Sequence, residues 1–400
     1  MWLRNQPHLL KSMEYKKVID LAAWSLFILL LLFTGSIINT SMLSADTPIS
    51  KDFVAFWAAA KLSIINQPEN AYNIHKMQQV IGAAVSNEAS YTWMYPPTFQ
   101  ALFYPLGLTS YRNAFMLFMS ITAATFMISL SYFCRPEHRM VALSAPTLFI
   151  GIIFGQNSLI TASLGMLSIA LMKRRPRLSG VAMGLLSIKP HLFICLPLFA
   201  LVEKNWRVFL WALITSISLI IYSLLLLGPS PWYSFFENAQ KASIWLQDGT
   251  LKIDSMTSIA ANLLLFGQPL KLAMAAHLAS FILLLAIVWL IFKNTKNTNL
   301  RGASVIVLII NLSPYMFIYE LAWLSVALVF MLNSPGWNRW ENTIIGVCWL
   351  FPLADFIFNS ALEKSFSLTF AISYTLTLII LSRAKKDSIY ILSNQGSRNL

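Results

Sequence analysis

The sequence predicts an all-α polytopic membrane protein, and three observations carry that reading. Hydrophobic residues make up 57% of the chain and charged ones only 11%, where soluble chains carry about a quarter. Long apolar runs recur along the whole length, each enough to cross about 30 Å of hydrocarbon or roughly half of it. Lys and Arg gather in short segments between those runs, as cytoplasmic loops do. In a soluble chain the formal net charge of +13 would point to nucleic acid. Here the basic loops account for it, and they also favour anionic lipid head groups. No nucleic-acid partner is expected.

Arg4, Lys11, Lys16 and Lys17 precede the first span, residues 18–38, which puts the N-terminus in the cytoplasm. That run is long enough to stay in the membrane, and no small-residue cleavage site stands out. Residues 41–97 then form a large first outer loop. Its acids Asp46, Asp52, Glu69 and Glu88 nearly balance Lys51, Lys61 and Lys76. Residues 53–64 are expected to form a short helix lying at the interface, and residues 71–84 a second. Pro96-Pro97 closes the region, because proline has no backbone donor.

Residues 99–107 read as a helix entering the membrane edge, and 113–133 as a span ending at Arg135 and Arg139. Segments 141–154 and 159–172 are both short, joined by Gly155-Gln156-Asn157-Ser158. They read as half-membrane helices meeting at a polar tip on the outer side. Lys173-Arg174-Arg175-Pro176-Arg177 returns the chain to the cytoplasm and is the strongest topology marker. Residues 178–202 have basic residues at both ends and are interrupted by Lys189-Pro190-His191, which favours a hairpin with Lys189 near its tip over a single span.

Residues 208–227 lead outward to a second outer loop at 228–255, and 270–292 return. Residues 305–312 and 321–332 are short halves around Ser313-Pro314-Tyr315 and Tyr319-Glu320. Final spans at 343–358 and 367–382 end at Arg383, Lys385 and Lys386. The total is about ten to twelve transmembrane or half-membrane helices in one integral membrane domain over residues 1–386. A cytoplasmic polar tail is expected at 387–400. The expected location is a bacterial-type inner membrane, multi-pass, with both termini cytoplasmic. No internal repeat is visible.

Metal and redox chemistry find little purchase. Cys134, Cys195 and Cys348 lie at no ligand spacing, and His8, His75, His138, His191 and His277 do not cluster. No glycine-rich phosphate loop is present, so no cofactor is expected and a lipid-borne substrate should reach its site through the membrane.

Four constellations remain. Asp52 directly follows a membrane segment, where water, lipid head groups and bilayer meet. It reads as a general base, or as a helix N-cap or a Lys51 partner. Phe53, Phe56 and Trp57 behind it are aromatic faces suited to sugar or lipid. Gln156 and Asn157 sit between two half-helices and must find partners, by capping helix ends or by lining a cavity. Lys189 inside an apolar hairpin is costly and reads as a phosphate counter-ion, or as a snorkelling side chain. Glu320, with Tyr315 and Tyr319, needs a polar cavity or a cation, and Lys189 is a candidate partner across the bundle.

These residues resemble glycosyltransferase family 87. The resemblance rests on Asp52-Phe53-x-x-Phe56-Trp57-x-Ala59-Ala60 with Leu62 and Tyr72, and on Tyr95-Pro96-Pro97 followed by Pro105-Leu106. It continues through Gly155-Gln156-Asn157 and the Gly180…Gly184…Lys189-Pro190 run. It covers about residues 50–330. The resemblance implies a GT-C-type bundle and a polyprenyl-phosphate-mannose donor. It also implies inversion at the anomeric carbon and an outer-loop aspartate base, which is Asp52 here. The residues themselves, read by position and chemistry rather than from the family, assign donor-phosphate and substrate binding to Lys189, Gln156, Asn157, Tyr95, Glu320, Tyr315, Tyr319 and Trp57. Where the family usually reads Ser-Pro-His and then Tyr-Asp, this sequence has Tyr315 and Glu320. The expected acceptor is a lipid- or envelope-linked glycan. The rival classes are a lipid or solute transporter, which short half-helices would suit, and a polyprenyl-linked polysaccharide polymerase or ligase.

Overall fold

A computed structural model describes residues 7–43, 49, 50, 52–85, 91, 93–247, 251, 253–361 and 366–396. Among the described residues every regular element is a helix, and one isolated bridge joins Met256 to Phe317. Among the described residues six helices are long and apolar enough to cross a membrane, and five shorter apolar ones lie among them. The protein is an all-α polytopic membrane protein.

In chain order the helices are α1 (Pro7–Leu43), α2 (Phe53–Ile64), α3 (Ile74–Gly82), α4 (Pro97–Phe103), α5 (Tyr111–Phe133), α6 (Arg139–Leu143) and α7 (Pro146–Phe154). Next come α8 (Ser158–Ala170), α9 (Pro176–Leu185), α10 (Pro190–Phe193), α11 (Cys195–Val202), α12 (Trp206–Leu227) and α13 (Ser230–Gln247). The last are α14 (Ile259–Leu265), α15 (Leu270–Asn294), α16 (Thr298–Ile310), α17 (Ala322–Leu332), α18 (Arg339–Ala361) and α19 (Thr369–Gly396).

Three expectations gain structural detail. Helix α2 is covered by protein rather than laid on its surface: ten of its twelve residues are buried. A helix that is apolar on every face has no solvent side to present, so it sinks into the protein. Phe53 and Phe56 anchor it among Phe99, Phe103, Phe115 and Phe118. The second outer loop is largely helix α13. Ser230-Pro231 starts it, proline being pre-set for a first helical turn, and Glu237 with Lys241 forms an i,i+4 pair at 2.7 Å. Helix α19 carries through 387–396, so that stretch of the expected tail is helical.

The hairpin at 178–202 has both ends together. The Asn205 carboxamide donates to the Met172 carbonyl at 2.7 Å, beside the Lys173–Arg177 turn. Helix α9 packs tightly on α12 through its two glycines. A Cβ on Gly180 would stand 2.5 Å from the Val208 carbonyl oxygen, and one on Gly184 would stand 2.6 Å from that of Ala212. Small residues at this spacing are how membrane helices approach closely.

The basic segments collect at one end of the bundle. The Arg135 amide donates to Asn333 at 3.0 Å, and an Arg383 guanidinium N–H donates to the Gly336 carbonyl at 3.2 Å. Lys386 pairs with Glu341 at 2.9 Å, and Thr295 donates to Asp387 at 3.4 Å. Arg301 pairs with Glu203, next to Asn205.

Candidate active site

Three apolar clusters meet around one cavity. The first contains α2 with Trp93 and Phe99. The second is the main bundle, with Phe154, Tyr319 and Trp323. The third is small and joins Leu251, Met256, Tyr315 and Phe317. Backbone pairing fixes this last strap, since the Thr257 amide donates to the Met316 carbonyl at 2.7 Å. The cavity has a volume of about 440 Å³, and its polar wall comprises Asp52, Tyr95, Gln156, Lys189, His191, Ser313, Tyr315, Tyr319 and Glu320.

Asp52 stands at the start of α2, but its side chain makes no capping hydrogen bond. Ser50 does that work: the Phe53 amide donates to its Oγ at 3.2 Å. The Asp52 amide donates to the Phe154 carbonyl at 3.2 Å, which ties α2 to the end of α7. There Gly155 turns the chain with φ +65°, a left-handed conformation natural to glycine. A Cβ at that position would stand 2.2 Å from Ser50 Oγ and 2.8 Å from Phe53 Cβ. The turn brings Gln156 over Asp52. Gln156 Nε2 donates to Asp52 Oδ2 at 2.9 Å, and the Tyr95 hydroxyl donates to Gln156 Oε1 at 3.1 Å. Burial, then the negative charges of Glu320 and Asp52, holds the Tyr95 phenol well above its usual pKa. The protonated hydroxyl is the donor to Gln156 Oε1. Lys51, the alternative partner of Asp52, lies outside the described residues.

Lys189 and Glu320 form a buried ion pair on the same cavity, 4% and 3% exposed. The lysine stands 5.4 Å from the Tyr95 ring and 5.6 Å from the Tyr319 ring, within cation–π range. Tyr319 stacks on Phe317 with ring centroids 5.3 Å apart. The partner anticipated for Lys189 across the bundle is therefore in place, and the lysine is not a snorkelling side chain.

Two of the anticipated residues stand elsewhere. Trp57 does not line the cavity; its indole donates to the Thr109 carbonyl at 3.0 Å and its ring packs on Tyr111. Helical geometry explains this, since Asp52 and Phe56 are four apart and share a face while Trp57 is rotated off it. Phe56 is the aromatic that reaches the cavity. Asn157 is fully buried behind the wall. Its side chain caps nothing, and its amide atoms make no hydrogen bond of good geometry among the described residues.

Several lining residues had not been anticipated. Tyr91, Trp93 and Met94 precede the Tyr95-Pro96 turn, and Phe235 and Ala239 come from α13. An aromatic-rich approach to a Pro-Pro pair was the available signal for the first three. The second pair needed α13 to be recognised as a helix.

A protein-family model, glycosyltransferase family 87, matches residues 93–314. This is more than half of the chain. The chain belongs to glycosyltransferase family 87. It is thus a glycosyltransferase, a hexosyltransferase embedded in a membrane. No curated protein and no solved structure matches it. The matched segment contains Tyr95, Gln156 and Lys189 but stops before Tyr315, Tyr319 and Glu320 and begins after Asp52. The family-87 segment thus supplies part of the cavity wall, and flanking segments complete it.

Proposed function

We propose that this enzyme moves a hexose from a polyprenyl-phosphate sugar to a lipid- or envelope-linked glycan acceptor, with inversion and with Asp52 as general base. Mannose is the sugar the family resemblance favours. The observation that carries the reading is the Asp52 carboxylate. It is relieved of capping by Ser50 and oriented by Gln156 at the wall of a cavity. A base must be ionised and within hydrogen-bond reach of the proton it takes. A carboxylate accepting an amide N–H is favoured in its charged form.

In this reading the acceptor hydroxyl gives its proton to Asp52 as its oxygen attacks the anomeric carbon. The C–O bond to the phosphate breaks on the opposite face, and the phosphate leaves with the electron pair. A phosphate is already a good leaving group, so no strong acid need assist it. Lys189 has three donors, and one is engaged by Glu320. The other two supply positive charge to the departing phosphate. The apolar lining from Phe235, Leu251 and Met256 suits the first isoprene units of the carrier. We place the cavity at the outer face of a bacterial-type inner membrane, in a GT-C-like bundle with both termini cytoplasmic. The gathering of basic segments at one end of the bundle supports that orientation.

The deciding experiment is transfer of radiolabelled sugar from a synthetic polyprenyl-phosphate panel to membrane extracts, comparing wild type with Asp52→Asn. Wild type should label an acceptor from one donor of the panel and the variant should not. Labelling by neither, or equally by both, would overturn the reading.

A further inference from the structure

Glu320 is only half used by the ion pair. Lys189 takes Oε1, while Oε2 is buried and has no hydrogen-bond partner among the described residues. The side chain nevertheless lines the cavity, at 2% exposure for the residue. A buried carboxylate oxygen without a donor carries an uncompensated desolvation cost. A donor arriving with the ligand would remove it.

The chemistry of the donor substrate narrows what that group is. A sugar phosphodiester has lost its proton near neutral pH and only accepts hydrogen bonds, so it cannot satisfy a carboxylate oxygen. A sugar hydroxyl can. The direction of Oε2 is also set in advance. Lys189 pins the other oxygen, and the lysine in turn sits between the Tyr95 and Tyr319 rings. A fixed acceptor on a fixed pair reads the position of a hydroxyl, not merely its presence.

We propose that Glu320 is a specificity-determining residue that accepts a hydrogen bond from one hydroxyl of the transferred hexose through Oε2. This rests on the glycosyl-transfer reading above. A sugar lacking that hydroxyl leaves the oxygen unpaired in the complex, and such sites reject the deoxy analogue strongly.

The test uses the purified full-length enzyme with mannosyl and glucosyl citronellyl phosphates and their monodeoxy forms. In wild type one deoxy position should cost about 10- to 150-fold in kcat/KM, the range of hydrogen bonds to charged groups. In Glu320→Gln and Glu320→Asp that one penalty should shrink to a few-fold while the other positions keep theirs. Thermal melting of each variant accompanies the assay. If Glu320→Gln does not fold, Glu320→Asp, which keeps the charge but withdraws it by one methylene, gives the same comparison. Identical penalties in wild type and variant would overturn the proposal, and so would a wild type indifferent to every deoxy position; Oε2 would then hold a buried water. Failure of every citronellyl donor with wild type would count against the donor reading alone. Binding of methyl hexosides and their monodeoxy forms, followed by tryptophan fluorescence, then decides the role of Glu320 by the same pattern.

Discussion

Gln156 and Asp52 are 104 residues apart in the chain and joined by a 2.9 Å hydrogen bond from the Gln156 carboxamide to Asp52 Oδ2. The Tyr95 hydroxyl holds the other end of that amide, so the carboxamide has one orientation. Gln156→Leu removes the donor and keeps the volume. We expect kcat to fall by roughly ten- to a hundred-fold, since a hydrogen bond to a charged group is lost and the base is no longer aimed. The acidic limb of the kcat/KM profile should move to higher pH. A carboxylate that loses a donor to its charged form takes up a proton more readily. An unmoved limb with near-normal kcat would show that Asp52 holds its place without Gln156.

Gly155 makes that contact possible. It sits at φ +65° with Ser50 and Phe53 pressed against the space a side chain would need. Gly155→Ala combines an unfavourable backbone with a clash, and we expect about 1–3 kcal/mol of destabilisation from the backbone alone. Turnover should suffer more than expression, because the displaced elements are α2 and the Gln156 turn. Melting in detergent together with the transfer assay measures both. A variant with wild-type melting and turnover would mean the turn relaxes freely.

Lys189 and Glu320 should behave as a coupled unit. Lys189→Met leaves a buried carboxylate without its cation, a loss typically worth about 3–5 kcal/mol. Lys189→Met combined with Glu320→Leu removes both charges and should recover much of that stability without recovering activity. Chemical melting of the two variants checks it. A double variant no more stable than Lys189→Met would show that the two side chains are not energetically linked.

The proposed orientation makes a separate prediction. Cysteine at Arg175 should stay unlabelled by an impermeant thiol reagent in intact cells, and cysteine at Glu69 should react. Glu69 accepts from Ser230 at 3.1 Å, away from the basic end, whereas Arg175 belongs to the turn beside Met172 and Asn205. Labelling at Arg175 would invert the topology.

Much of this arrangement was legible in the sequence where a rule ties composition to place. Apolar length marked the spans, and the basic stretches marked one end. The polar break at Gly155-Gln156-Asn157-Ser158 marked a helix junction, because unpaired polar groups are not tolerated in hydrocarbon. What was not legible was which partner each polar group finds. Gln156 and Asn157 are adjacent and chemically alike, yet one reaches Asp52 and the other is buried behind the wall. Trp57 stands off the cavity because proximity to an acid in sequence is not proximity in space, and the helical face toward the cavity belongs to Phe56. How deeply α2 is packed was likewise not legible, because its apolar composition suits a surface helix and a protein-covered one equally, and only the aromatic cluster around Phe53 and Phe56 shows that it is covered.

Asp52 is the residue on which the catalytic reading stands. Its side chain makes no capping bond, and Ser50 supplies the cap to Phe53. A substitution that keeps size should therefore leave α2 folded. Asp52→Asn retains an oxygen that can accept from Gln156 but has no basic site for a proton. General-base assistance is worth about a hundred- to ten-thousand-fold, so kcat should drop by at least roughly a hundred-fold with unchanged expression and melting. Asp52→Glu should also be impaired, since one added methylene displaces the carboxylate by about an ångström from the geometry Gln156 fixes. Ser50→Ala supplies the contrast: it removes the cap, which costs about 0.5–2 kcal/mol of stability, while leaving the base in the cavity with most of its activity. Turnover of Asp52→Asn within a few-fold of wild type would remove Asp52 from the chemistry, and Glu320 would be the next carboxylate on the cavity to examine.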